Sequence, residues 1–208
     1  MPFNVPPLKP LLFHSTPIPT LDKTPDMAFL ERLNNDLIKF IEQQQMYFVA
    51  TAAQTGRINV SPKGLESFRV QDKEHVLWLN YTGSGNETAA HLKEQNRMTI
   101  MFCSFTEKPL ILRLYGKVKS YHSFDSEWPE LLNLFKEQTG ARNIFLLEIE
   151  SVQTSCGYGV PLYEFENARP TLTSFMESKG EKGLIEYQKL KNTTSIDGLD
   201  TGLFPEEG

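Results

Sequence analysis

Val76-Leu77-Trp78-Leu79-Asn80-Tyr81 runs without a break into Thr82-Gly83-Ser84-Gly85-Asn86-Glu87-Thr88. The first half is an apolar, aromatic strand; the second is a glycine-bearing loop that opens a helix extending to about Gln95. A helix start carries unpaired N–H groups and the positive end of the helix dipole, so the junction suits an anion. Asn86 is placed to cap that helix, and Thr82, Ser84 and Thr88 add hydroxyls. Glu87 would repel an anion if it pointed inward, so its carboxylate should face away. A polar turn followed by a capped helix explains the same residues. The loop nearly spells the dinucleotide fingerprint G-x-G-x-x-G, but Thr88 stands where the third glycine belongs and no βαβ unit surrounds it.

Outward from this junction the period stays that of strands. Met46–Ala52 reads as a buried strand, Gln54-Thr55-Gly56-Arg57 as its turn, and Ile58–Ser61 as its hairpin partner, with Pro62 either ending the regular pairing or sitting at an edge. Phe68–Val70 pairs with His75–Tyr81 through Gln71–Glu74. Met98–Phe105 and Leu110–Tyr121 follow, joined through Lys108-Pro109, and Asn143–Val152 is the last long strand. Three helices are predicted besides the one after Asn86. One opens at Thr24-Pro25 and carries Leu30, Leu33, Leu37 and Ile41 to about Gln44; one begins at Ser126–Pro129 and closes near Gly140; one lies beyond Pro170. Turns this short cannot carry parallel crossovers, so the strands are antiparallel and the fold class is α+β, closer to a barrel than to a doubly wound sheet.

Other pairs of residues offer chemistry. Ser61 and Lys63 put a hydroxyl and an ammonium at one strand end, a natural pair for phosphate, though a hairpin edge with a solvated lysine reads the same way. Arg113 alternates with Leu112 and Leu114 and so points opposite to them, to a ligand groove or to solvent. Gly157 and Gly159 flank Tyr158 and allow close backbone approach to a flat ligand. Cys156 has no adjacent histidine or cation to activate it, which favours a packed or ligand-facing thiol over a nucleophile.

Composition sets the outer limits. The chain has 208 residues and a net charge of −5, with its basic residues scattered, which disfavours nucleic acid as the partner. Two cysteines and four separated histidines supply neither a disulfide scaffold nor a metal-ligand spacing. No stretch approaches the roughly 18 apolar residues of a membrane span. Seven of the thirteen prolines fall within residues 1–26, which read as an extended or disordered arm rather than a signal peptide. A cytoplasmic protein with one folded domain over residues 27–208 and a helical C-terminal tail is expected.

Taken together and in order, Ile58–Gly64, Trp78–Leu92, Arg97–Cys103, Leu112–Gly116 and Ser155–Pro161 resemble the pyridoxamine 5'-phosphate oxidase-related, FMN-binding split-barrel family. The resemblance covers about Met27 to Gly202; similar proteins commonly begin near Met27. It implies a six-stranded antiparallel split β-barrel with peripheral helices, a homodimer, and FMN in a groove at the subunit interface. By the same resemblance Val60, Ser61 and Lys63 line the flavin, and Tyr81 and Thr82 end the strand beside it. Asn86, Glu87 and Thr88 match the loop that in the authentic oxidase carries basic phosphate ligands, and Ser84 precedes them at the cofactor. This loop has none, which leaves backbone amides, Thr88, Lys63 and Arg113 as donors. Cys156 and Tyr158 approach the ring, either from the same subunit or from its partner. The authentic oxidase's Arg-x-His substrate motif is missing, so vitamin B6 oxidation is not expected. The resemblance implies an FMN-dependent oxidoreductase acting on a small molecule, with NAD(P)H among the candidate donors. A non-enzymatic flavin-binding or sensing protein, or a barrel holding deazaflavin or haem, is the alternative.

Overall fold

The computed structural model describes residues 28–205, so the proposed arm at 1–26, with Thr24 and Pro25, lies outside the described residues. Eight strands and four helices follow in the order β1 (Ala28–Leu30), α1 (Asn35–Glu42), β2 (Tyr47–Ala52), β3 (Ile58–Lys63), β4 (Phe68–Val70), β5 (His75–Tyr81), α2 (Glu87–Glu94), β6 (Met98–Cys103), β7 (Ile111–Tyr121), α3 (Trp128–Leu132), β8 (Ala141–Ser155) and α4 (Thr171–Lys191). They form one curled sheet in the order β3-β2-β6-β7-β8-β5-β4, with β1 added on β8. Every pairing is antiparallel. This is the α+β split barrel. The expected six strands are the six long ones; β1 and β4, three residues each, raise the count to eight.

The first helix starts later than its apolar spacing predicts. Asn34 caps it, its Oδ1 accepting from the amides of Asp36 and Leu37 at 3.1 and 2.9 Å, and Leu30 is in a strand instead. The reason lies in β8. Over its first half β8 is flanked by β7 and β5, but beyond Glu148 the β5 side is an open edge, and β1 pairs there with Val152–Thr154. An unpaired ladder outweighs a local helical pattern. Leu33, Leu37 and Ile41 are nevertheless buried, as the period implied.

β5 is covered on both faces, which explains its continuous apolar run. Val76 and Trp78 face the barrel interior with Val49, Phe102, Leu112 and Phe145, while Leu77 and Leu79 face a second core made by Phe135, Met176 and Leu184 under α3 and α4. β3 alternates: Ile58, Val60 and Pro62 are exposed, whereas Asn59, Ser61 and Lys63 turn inward. Two glycines are fixed by close approach. Gly116 sits at a bulge on β7, where a Cβ would lie 1.9 Å from the Glu148 carbonyl oxygen. Gly140 (φ +73°) turns the chain into β8 against Met176. α4 is interrupted at Gly180, whose φ of 62° and ψ of 173° break the helix into two arms.

Candidate functional site

The inward face of β3, the end of β5 and the loop entering α2 enclose a cavity of about 360 Å³. Of the residues singled out in the sequence, Ser61, Lys63, Tyr81, Ser84, Asn86 and Thr88 line it. Strand alternation places Ser61 and Lys63 there, and the same alternation turns Val60 outward to solvent. Thr82 is buried beside the cavity but already committed: its hydroxyl donates to the Gly140 carbonyl at 2.9 Å and accepts from Gln188 Nε2 at 2.7 Å. Arg113, Cys156 and Tyr158 do not line this cavity within one chain. Arg113 Nη1 donates to Ser155 Oγ at 3.1 Å, and Cys156 and Tyr158 are exposed beyond the end of β8.

A polar web arranges the donors. Asn59 Nδ2 donates to Thr88 Oγ1 at 3.3 Å, and Ser61 Oγ donates to Asn59 Oδ1 at 3.0 Å. Asn86 occupies the N-cap position of α2 yet makes no capping bond; its side chain accepts from Asn80 at 3.4 Å and donates to the Asn192 carbonyl at 3.3 Å. The first turn of α2 is therefore left without a side-chain acceptor, an arrangement suited to an external anion. Glu87, whose carboxylate edges the cavity, is held by the Ile196 amide at 3.1 Å.

That amide belongs to a tail after α4 which braces the loop entering α2 without lining the cavity itself. Asn192 Nδ2 donates to the Gly83 carbonyl at 3.0 Å, Asp197 accepts from the Arg57 amide at 2.7 Å and pairs with its guanidinium, and Asp200 pairs with Lys93.

Two cations give the cavity its electrostatic character. Lys63 Nζ lies 4.8 Å from the centre of the Trp78 ring, and burial, followed by the charge of Arg142, pushes its pKa down to about 8. Arg142, at the start of β8, also lines the cavity and is 4% exposed; burial lowers its pKa to about 10. Its Nε and Nη1 have no hydrogen-bond partner. No carboxylate neutralises either cation among the described ion pairs. Arg142 was missed because the strand was expected to start at Asn143, which assigned the arginine to the preceding turn. The signal was present: an arginine directly before Asn143-Ile144-Phe145 extends an apolar run, and a charge there is buried unless the strand ends first.

Known proteins share this architecture. The sequence model described as pyridoxamine 5'-phosphate oxidase matches residues 34–156. A pyridoxamine 5'-phosphate oxidase family protein of Aspergillus flavus, ustO, is 40% identical over 192 residues, which cover 82% of this chain and 76% of that protein. Among solved structures, a histidine-to-alanine variant of HupZ from Group A Streptococcus has a TM-score of 0.50 at 17% identity, covering 58% of this chain and 98% of its own; that likeness is one of fold. A pyridoxamine 5'-phosphate oxidase-related, FMN binding protein from Nostoc punctiforme gives 0.42 at 15%, covering 53% and 73%.

Proposed function

The chain belongs to the pyridoxamine 5'-phosphate oxidase family, and on that premise we propose that it is a cytoplasmic, homodimeric flavoprotein that holds FMN in the β3–β5–α2 cavity and acts as an FMN-dependent oxidoreductase on a small molecule. The carrying observation is the convergence of the largely buried, unpaired Lys63 ammonium, the Ser61 and Thr88 hydroxyls and the uncapped start of α2 on one cavity. These donors fit a phosphate-bearing cofactor, and an unneutralised cation is the group such a site needs. Bound FMN would supply the redox chemistry, taking electrons from a donor such as NAD(P)H.

The protein's own residues bind, orient and exclude water. Lys63 neutralises phosphate charge from its seat over Trp78. Thr88, which accepts from Asn59, keeps its hydroxyl proton for a ligand, and Ser61 holds Asn59 in place by donating to its Oδ1. Thr82, locked between Gly140 and Gln188, fixes the strand end, and the tail braces the loop entering α2 from outside the cavity. A second subunit has a natural seat: Ile58 and Val60 stand 75% and 61% exposed on the outer face of β3. We assign Cys156 and Tyr158 to the partner's flavin, since neither lines the cavity of its own chain.

Purified protein is expected to be yellow, to release FMN on denaturation, and to be reduced by a donor faster than free flavin is. Lys63→Glu should weaken FMN by at least about tenfold while leaving riboflavin, which lacks the phosphate, unchanged. Equal losses for the two flavins would remove Lys63 from the phosphate site. A protein that binds no flavin sinks the proposal.

A further inference from the structure

Arg142 is a buried cation that the flavin reading does not use, and its position says what it awaits. It lines the smaller of two adjoining cavities. The smaller is the one described above; the larger, of about 910 Å³, shares Lys63, Gly64, Leu65, Ser84 and Leu172 with it and runs out under α4. Its walls are chiefly apolar and aromatic, with Leu172, Phe175 and Tyr187 of α4 on one side and Met46, Pro62 and Leu65 on the other. Arg142 lines the smaller cavity together with Leu172, which is also a wall of the larger one.

A guanidinium withdrawn from water with Nε and Nη1 unpartnered is costly, because each buried, unpaired N–H forfeits its bond to water. The other cation of the cavity, Lys63, repels it. Both costs are relieved by an oxyanion, which takes the guanidinium N–H groups and neutralises the charge together. With the flavin in the smaller cavity, an anion seated at Arg142 extends an apolar body past Leu65 and Leu172, which line both cavities, into the one under α4.

We propose that the α4 cavity is the substrate site and that it takes an apolar, ring-bearing molecule with a single oxyanionic group, such as a carboxylate, held by Arg142. The proposal rests on the flavin reading, which places the cofactor in the adjoining cavity. It names a substrate class: aromatic or alicyclic acids, in preference to amines or neutral analogues. Arg142 sets the specificity, and Leu172, Phe175 and Tyr187 give the area that makes an apolar body worth binding.

The test uses the full-length protein, with and without FMN, and three probes of one shape: 2-naphthoate, 2-naphthamide and 2-naphthylmethylamine. Equilibrium dialysis should show saturable naphthoate binding, with the amide and the amine at least about tenfold weaker. Arg142→Gln should bring naphthoate down to the level of the amide, and the variant should still prefer FMN to riboflavin through Lys63. Should Arg142→Gln fail to fold, Thr171→Glu and Thr171→Lys test the same wall from an exposed position. At low ionic strength the acid should weaken naphthoate about threefold and the base strengthen it by a similar factor. Equal binding of naphthoate and naphthamide overturns the proposal. So does an Arg142→Gln protein that has lost its preference for FMN over riboflavin, since Arg142 would then serve the cofactor phosphate. Failure of the wild type to bind FMN is read in a separate titration and strikes the flavin reading, while naphthoate binding to the flavin-free protein still decides whether the site exists.

Discussion

Lys63 is a lysine largely removed from water with a second cation for a neighbour, and its ammonium is correspondingly easy to discharge. A pKa near 8 in the folded chain against 10.5 outside it means that the unfolded chain binds the extra proton between those values. Stability of the ligand-free protein should therefore rise as the pH climbs from about 8 to about 10.5, with the charged lysine costing on the order of 3 kcal/mol below that window. Ligand binding has the opposite slope. A phosphate at Lys63 requires the ammonium, so FMN affinity should fall as the pH passes about 8, and riboflavin affinity should not. Lys63→Arg should hold FMN affinity level through the same range, because a guanidinium keeps its charge. Titrations of both flavins between pH 6.5 and about 9.5 check this; a flat FMN profile in the wild type would mean that Lys63 does not face the phosphate.

Elements carry these residues to their places, and some placements could be read locally while others could not. Ser61 and Lys63 share a face because alternation on β3 requires it, so this part of the site was legible from Ile58–Lys63 alone. The loop Gly83–Thr88 was legible too, because glycines and a helix start announce themselves in sequence. β1 was not legible. Its partner is the open edge of β8, more than 120 residues away in the chain, and Leu30 fits a helical period that the sheet overrides. Arg142 was only partly legible, for a related reason: Gly140 announces the turn into β8, but the burial of Arg142 depends on the pairing of Ala141 and Asn143 with Tyr81 and Asn80 across a bulge. The uncapped Asn86 also depends on distant residues, since Asn80 and Asn192 take its side chain. At this scale two substitutions separate ordinary from stringent positions. Asn34→Ala removes the two capping bonds of α1 and should cost about 1 kcal/mol. Gly116→Ala sets a Cβ against the Glu148 carbonyl and should cost about 3 kcal/mol or prevent folding. Urea unfolding of each variant measures the difference.

The whole molecule is a sheet that curls without closing, and both its binding and its assembly follow from the places where it stays open. The outer face of β3 leaves Ile58 and Val60 bare directly behind Ser61 and Lys63, so a subunit docked there would stiffen the strand that carries the phosphate donors. Val60→Glu is expected to shift the sedimenting species from dimer to monomer and to lower FMN affinity with it, although Val60 itself does not line the cavity. A dimer unchanged by Val60→Glu would place the interface elsewhere.

The tail that braces the loop entering α2 also sets a timetable. Arg57 is made early and its counter-ion, Asp197, 140 residues later; Glu87 likewise waits 109 residues for the Ile196 amide. During synthesis the barrel strands can pair before these partners exist, and each closure must span most of the barrel's sequence. A nascent chain halted after β8 would therefore have a nearly finished sheet whose β2–β3 turn and α2 entry loop still lack their anchors.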